Sequence, residues 1–343
     1  MNYNDIIKNV GRGKNSATDI DQDAAYALYG AMLDDAVPEF ELGALLIAFR
    51  IKGESEAEML GFYQAMQARL AKLQAPAGRS LPVVIPTYNG ARKQGNLTPL
   101  LALILQRLGV PVLVQGITKD AKRVTTAEVF AALGIAACTS AAEAQARLDA
   151  GEAAFLPVAA LSPGLDRLLQ LRWRLGVRNS THTLAKLLDP FQGNSVRLVS
   201  VTHPEYVTRM AEFFRAADAR ALLLRGCEGE AYANPKRCPR IAWYEGGREQ
   251  VLIPAESGVI GVVPQLPESM DAAVTAQWIS QAMAGGVPVP PPMLAQAACC
   301  MLASGGAPDL TSAMHTVAAT FDCNVETLLR FLNPEPESAE QAT

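Results

Sequence analysis

Two patterns of apolar and polar positions divide the chain. In the first 75 residues apolar side chains recur at three-to-four spacing, over Ile20–Met32 and Phe40–Ile51, and Ser55-Glu56-Ala57-Glu58 reads as a capping box that opens a third helix from Glu56 to about Lys72. Leu73–Arg79, which contains Pro76 and Gly78, reads as a linker. Beyond it short, partly β-branched apolar runs appear at Leu81–Ile85, Val110–Val114, Ala154–Pro157, Arg197–Val201 and Arg220–Leu224. Helix-period segments separate most of them: Thr98–Leu108, Thr125–Leu133, Ala141–Leu148 and Glu205–Ala216. Alternation of this kind predicts a mainly parallel sheet flanked by helices. Ile241–Trp243 and Gln250–Ile253, around Glu245-Gly246-Gly247, predict an antiparallel hairpin, and Pro288–Pro292 is a rigid break before the last helices. Leu165–Leu188 does not fit the alternation: it lies between two strands, yet it is helical in period and rich in arginine, so it is expected to leave the sheet and pack with the N-terminal helices.

The fold class that follows is α/β, with a small helical N-terminal domain and a larger α/β domain around a mainly parallel central sheet. The expected boundaries are 1–75 for the helical domain, joined by an inserted helical segment at about 163–190, then 80–160 with 195–332 for the α/β domain, and a disordered tail over 333–343. Composition agrees with this class: 343 residues, 50% hydrophobic and 19% charged, can bury a core without metals or disulfides. The longest apolar runs, Leu42–Phe49 and Leu97–Leu105, fall short of the roughly 18–20 residues a membrane span needs. The start, Met1-Asn2-Tyr3-Asn4-Asp5, has no apolar signal-peptide core, so the expected location is the cytoplasm, away from membranes. Six irregularly spaced cysteines without a Cys-x-x-Cys pair read as reduced structural thiols.

Charge matters by place. The net charge is −4, but Asn333–Thr343 holds three glutamates and no base, which leaves the body almost neutral. Between Lys14 and Arg50 lie seven acids and no base; between Asp166 and Asp189 lie Arg167, Arg172, Arg174, Arg178 and Lys186 and no acid. A near-neutral total therefore conceals a basic surface.

The layout resembles the anthranilate phosphoribosyltransferase family of glycosyltransferase family 3. Ile47-Ala48-Phe49-Arg50-Ile51-Lys52-Gly53-Glu54-Ser55, with Glu58-Met59-Leu60-Gly61, is similar to that family's A-L-R-x-K-G-E-T and E-E-I-A-G signature. Ala132-Leu133-Gly134 matches the end of its phosphate-site helix, and Leu175-Gly176-Val177-Arg178-Asn179 matches L-G-I-R-T. The resemblance implies a helical domain that pairs subunits, hence a homodimer, and a substrate cleft between the two domains.

The chemical motifs of that family have decayed. The G-T-G-G-D loop, whose N–H groups face the pyrophosphate of phosphoribosyl pyrophosphate, becomes Pro86-Thr87-Tyr88-Asn89-Gly90, where a proline lacks an N–H and a tyrosine adds bulk. Thr87, Asn89 and Gly90 remain candidates for an anion-binding turn. K-H-G-N-R becomes Val114-Gln115-Gly116-Ile117-Thr118, and the metal-binding Asp-Glu pair becomes Gly229-Glu230, with Glu230 as a remnant. Three motifs lost together inside a kept scaffold imply a changed function, because the site and not the fold sets the chemistry. No catalytic residue, resident metal or cofactor is expected.

What replaces those motifs is basic: Arg92 and Lys93 in the first loop, Lys186 where the family has a Gly-Pro pair, and Lys236 and Arg237 beyond the lost metal motif. Together with Arg172, Arg174 and Arg178 they are the candidate nucleic-acid-binding residues, expected to line one interdomain groove with the nearby acids facing away. Tyr88-Asn89-Gly90-Ala91-Arg92-Lys93-Gln94, His203-Pro204-Glu205-Tyr206 and Tyr232-Ala233-Asn234-Pro235 look like the YbiB-type branch of the family, and that resemblance implies a DNA- and RNA-binding homodimer without transferase activity. Arg167, Arg172, Arg174, Arg178 and Lys186 also fit a solvated helix face, and Arg92, Lys93, Lys236 and Arg237 ordinary loop charges; Trp173 fits core packing or base stacking, and His182, His203 and His315 fit structural roles. A phosphoribosyltransferase or other glycosyltransferase with an altered substrate stands as the alternative.

Overall fold

The structure, a computed structural model, describes residues 1–13, 15–254, 260 and 265–333. The expected disordered tail lies outside these residues, apart from Asn333.

Four helices open the chain: α1 (Tyr3–Val10), α2 (Gln22–Leu33), α3 (Glu39–Lys52) and α4 (Glu56–Gln67). Capping residues explain where two of them start. The Asp21 carboxylate accepts the Ala24 N–H of α2 at 2.8 Å, and Ser55 and Glu58 form the reciprocal box that opens α4. Helix α1 is not among the elements the sequence pattern predicts; it is only eight residues long, with Val10 buried, and gives the periodicity little to work on. Helix α4 ends at Gln67, before Lys72, where the N–H groups of Arg69 and Leu70 turn to carbonyls three residues back; the Arg69 side chain holds Asp34 with two hydrogen bonds of 2.6–2.7 Å.

The well-kept motif at 47–61 is a packing device. Glu58 is fully buried; it accepts from Lys52 at 2.7 Å and from the Ile20 and Ser55 backbone N–H groups, while Lys52 also reaches Asp19 at 2.5 Å. Gly61 lies where a Cβ would strike the backbone of Gln22 and the side chain of Ala25, so α2 and α4 meet backbone to backbone.

The α/β part runs β1 (Val83–Thr87), α5 (Thr98–Arg107), β2 (Val112–Gly116), α6 (Thr126–Ala132), α7 (Ala141–Ala150) and β3 (Ala154–Pro157). The chain then leaves the sheet through α8 (Val158–Leu161), α9 (Pro163–Gln170), α10 (Arg172–Leu175), α11 (Thr181–Leu184) and a 3-10 turn at Ala185–Leu187. It returns as β4 (Val196–Val201), α12 (Pro204–Ala216), β5 (Ala221–Arg225), β6 (Ile241–Glu245) and β7 (Arg248–Ile253), and ends with α13 (Ala272–Met283), α14 (Pro291–Ala303), α15 (Leu310–Thr320) and α16 (Val325–Leu329). The seven strands form one sheet in the order β3-β2-β1-β4-β5-β6-β7. The first five are parallel, and β6 and β7 add the antiparallel hairpin.

Alternate strand residues feed two cores. Val83, Ile85, Val112, Val114, Leu198 and Leu222 face α5 and the C-terminal helices. Val84, Leu113, Leu156, Val199 and Leu223 share a core with α2–α4, α9 and α12, so the helical domain is built onto one face of the sheet. The arginine-rich segment from α9 to the 3-10 turn lies against the N-terminal helices: Arg167 donates to the Met32 carbonyl and pairs with Asp35 at 2.8 Å, and the Tyr29 hydroxyl donates to Thr181 at 3.1 Å. Gly176, at φ +72°, caps the C-terminus of α10.

Candidate functional site

The crossovers after β1 and β4 run to opposite sides, so the loops that follow these strands diverge and open a crevice at the carboxyl edge of the sheet. Residues 88–97 follow β1, 117–125 follow β2, 202–203 follow β4 and 226–240 follow β5. The end of α3 and residues 176–187 close the crevice from the helical side.

The turn at Thr87-Tyr88-Asn89-Gly90 is filled from within the protein. Glu230 is fully buried and its carboxylate sits in the turn. One oxygen accepts the N–H groups of Asn89 at 2.9 Å and Gly90 at 2.7 Å; the other accepts the hydroxyls of Thr87 and, at 3.0 Å, Thr98. The Asn89 side chain donates to the Gly229 carbonyl at 2.7 Å. Next to it Glu228 accepts the N–H groups of Arg92 at 3.2 Å and Lys93 at 3.1 Å. The 227–230 loop thus supplies two carboxylates to the backbone of residues 89–93. Four donors occupy all the acceptor capacity of the Glu230 carboxylate, so this residue does not fit the role of a metal ligand remnant.

The lost K-H-G-N-R motif is rebuilt as core. Tyr88, buried, donates its hydroxyl to Gln115, whose amide in turn donates to the Ala185 carbonyl at 3.2 Å. Gly116 survives for a steric reason: a Cβ there would overlap the Thr87 carbonyl across the parallel ladder.

Around this plug lie the cations, but not as one uniform set. Arg92 and Lys93 are exposed, and Arg92 lies 3.8 Å from Glu228. Arg172 pairs with Asp120 at 3.2 Å and stacks over Trp173, its guanidinium carbon 4.2 Å from the ring centroid. Trp173 is 48% exposed, so it belongs to the surface and not to the core. Arg178 keeps contact with solvent, yet desolvation and then the charges of Arg172, Arg123 and Arg92 lower its pKa, while Asp120 opposes them. Lys186 is half-buried, donates to the Ser200 carbonyl at 2.8 Å, and is brought down to about 8 by desolvation, against the pull of Glu230. Lys236 and Arg237 are exposed on the loop after β5.

Two expectations are corrected. Arg174 is ion-paired with Glu39 and lines an apolar depression with Phe40, Ile47 and Leu175; two positions from Arg172 on a helix, it points to the opposite side. The acids do not all face away either, since Asp120 and Glu228 lie among the cations.

Residues missed in the sequence complete the crevice. A cleft of about 300 Å³ is lined by Arg50, Arg178, His182, Lys186, His203, Tyr206 and Arg209, among others. Arg50 donates to the Arg178 carbonyl at 2.6 Å, Arg209 donates to the Glu54 carbonyl at 2.7 Å, and Arg123 donates to the Gly90 carbonyl at 3.1 Å. Arg50 stands inside the kept 47–55 motif, where it reads as structural; Arg209 and Arg123 carry no signal in the sequence beyond their charge. Burial, followed by Arg178, Arg172 and Arg50, pushes His182 down to about 3, so its ring is neutral at pH 7.

The cysteines form no disulfide among the described residues, and among those residues no helix is long and apolar enough to cross a membrane. Residues 4–70 match the model of the glycosyl transferase family helical bundle domain. The uncharacterized protein YbiB of Escherichia coli (strain K12) is 50% identical over 322 residues, which cover 94% of this chain and 100% of that one. An anthranilate phosphoribosyltransferase of Methylocella silvestris is 26% identical over 88% of this chain and 86% of its own. In three dimensions the crystal structure of anthranilate phosphoribosyltransferase from Thermus thermophilus superposes with a TM-score of 0.72 at 21% identity, covering 96% of this chain and 98% of the other. The Saccharomyces cerevisiae enzyme in complex with PRPP and Mg gives 0.70 at 13% identity, over 96% of this chain and 97% of its own. The chain therefore belongs to the family of the E. coli protein YbiB, on an anthranilate phosphoribosyltransferase-like fold.

Proposed function

We propose that this protein binds nucleic acid, DNA or RNA with little sequence preference, through the basic crevice between its helical and α/β parts. The observation that carries the reading is the contrast at the carboxyl edge of the sheet. The anion cradle of the fold is filled from within by Glu230, while Arg92, Lys93, Arg172 and Arg178 are kept around it within electrostatic reach of one another or of solvent. A protein that used phosphoribosyl pyrophosphate would need that cradle open. A backbone of phosphates needs only cations at the rim, and takes its register from phosphate contacts without reading bases. Lys186, Lys236 and Arg237 extend the basic surface; Arg174 stays outside the set. The activity of the proposed site is binding, with no catalytic residue, metal or cofactor.

The same reading includes a homodimer. Phe40 is 89% exposed, at the edge of an apolar depression of about 780 Å³ formed by α3 with Leu171 and Leu175. An unpartnered apolar face on the helical domain suits a two-fold contact, in which one self-complementary patch serves both subunits.

The test is a titration of labelled single- and double-stranded oligonucleotides at several salt concentrations. Binding should weaken with salt by about 0.9 in log–log slope per duplex phosphate contact, or about 0.7 for a single strand. Replacing Arg178 and Lys186 together by alanine should lower affinity and reduce the slope by roughly 1.5–2. A folded wild-type protein that retains no oligonucleotide at low salt overturns the proposal.

A further inference from the structure

Resting on the nucleic-acid reading, we infer that the cleft between Arg50, Arg178 and Tyr206 is a pocket for one unstacked nucleotide of a single strand, with the base against Tyr206 and His203 and its phosphate between Arg50 and Arg178.

Three features of the cleft point there. The first is unmet hydrogen bonding. Asn179 is 6% exposed; its Oδ1 accepts the Thr181 N–H at 3.0 Å, but its Nδ2 has no partner. His182 receives the Asn179 N–H at Nδ1, which leaves the proton of the neutral ring on Nε2, and that atom also has no partner. A buried donor left unpaired is unfavourable. Both atoms belong to residues of the same wall, and both are donors. Each has less than 1 Å² of accessible surface, so both lie behind the cleft wall, where the carbonyl oxygens and ring nitrogens of a base would meet them only as that wall relaxes around it.

The second feature is aromatic. Tyr206 is 38% exposed on the first turn of α12, with the His203 ring 6.5 Å away and tilted by 47°. Neither ring belongs to the core on which α12 rests through Met210, Phe213 and Phe214. Exposed rings beside cations are the elements from which single-strand sites are built, since every base has a face to stack.

The third is size. About 300 Å³ lies at the low end of small-molecule sites, enough for one nucleotide and too little for a duplex. A paired base would have to be extruded at a cost in pairing and stacking, whereas a single strand presents its bases already unpaired. Arg50 and Arg178 stand at the helical side of the same cleft, where the phosphate of an inserted nucleotide would lie.

The experiment compares a dT oligonucleotide with a duplex of equal length on the full chain, as wild type, Tyr206→Ala and Tyr206→Phe. Loss of one stacked base should weaken single-strand binding by about 5- to 150-fold in Tyr206→Ala and leave duplex binding within about twofold. Tyr206→Phe keeps the ring and should stay near wild type. If folded Tyr206→Ala binds both ligands like wild type, or loses both equally, the pocket is not a base site even though the protein binds nucleic acid. If wild type binds neither ligand, the broader reading fails and this one with it.

Discussion

Replacing Glu230 by alanine would vacate the cradle between β1 and the 227–230 loop and leave its donors behind. The Thr87 hydroxyl still has Thr126 at 2.6 Å, and the Thr98 hydroxyl can turn, but the N–H groups of Asn89 and Gly90 have no second acceptor in the hydrogen-bond network. Two orphaned backbone donors at roughly 1–3 kcal/mol each give an expected loss of about 2–6 kcal/mol. That is a large part of the roughly 5–15 kcal/mol by which a domain is usually stable. Glu230→Gln should cost far less, because the amide oxygen still meets both N–H groups and the two hydroxyls can rotate to accept from the amide nitrogen. An oxyanion should substitute for the missing carboxylate: at a hundred times its dissociation constant, inorganic phosphate would return about 2.7 kcal/mol. Urea unfolding of the three proteins in phosphate and in chloride, at matched ionic strength, measures each effect as a shift in midpoint at constant slope. The reasoning is refuted if Glu230→Ala unfolds at the wild-type midpoint, or if phosphate stabilises wild type as much as the variant.

The remaining expectations concern charge, assembly and chemistry. Lys186 titrates near 8 in the folded protein, below the usual 10.5 for lysine, so its charge in the crevice should fade as pH rises through about 8; oligonucleotide affinity should fall from pH 7 to 9, and Lys186→Arg should flatten that fall. The same shift means the unfolded chain holds the extra proton between about 8 and 10.5, so this group's contribution to stability rises with pH across that window and is unfavourable below it. Light scattering at micromolar concentration should give a dimeric mass for the wild type and a monomeric one for Phe40→Glu; a wild-type monomer would remove the dimer from the proposal. No phosphoribosyl anthranilate should form from anthranilate and phosphoribosyl pyrophosphate, and turnover at roughly 1 per second or faster would contradict the plugged cradle.

Seven strands and the helices that separate them could be read directly from residue order, because each is a local matter. A period of two or 3.6, a cap such as Ser55 with Glu58, and a breaker such as Pro290 act within a few residues of one another. The decay of the phosphate motif was equally legible, since Pro86 removes an N–H whatever surrounds it. So was the clustering of bases over 167–186, though not their direction: Arg172 and Arg174 diverge because the segment coils into a short helix there. Tertiary structure alone decided the fate of Glu230. Its partners Thr87, Asn89, Gly90 and Thr98 lie more than 130 positions away, and only the pairing of β1, β4 and β5 in one sheet brings the two loops together. Arg50 and Arg209, 159 positions apart in the chain, likewise meet across one cleft only because the helical domain packs on the same sheet face as α12. A carboxylate that plugs a site and one that decorates a surface are the same letter in a sequence; what separates them is which donors the fold carries to it and whether water can follow.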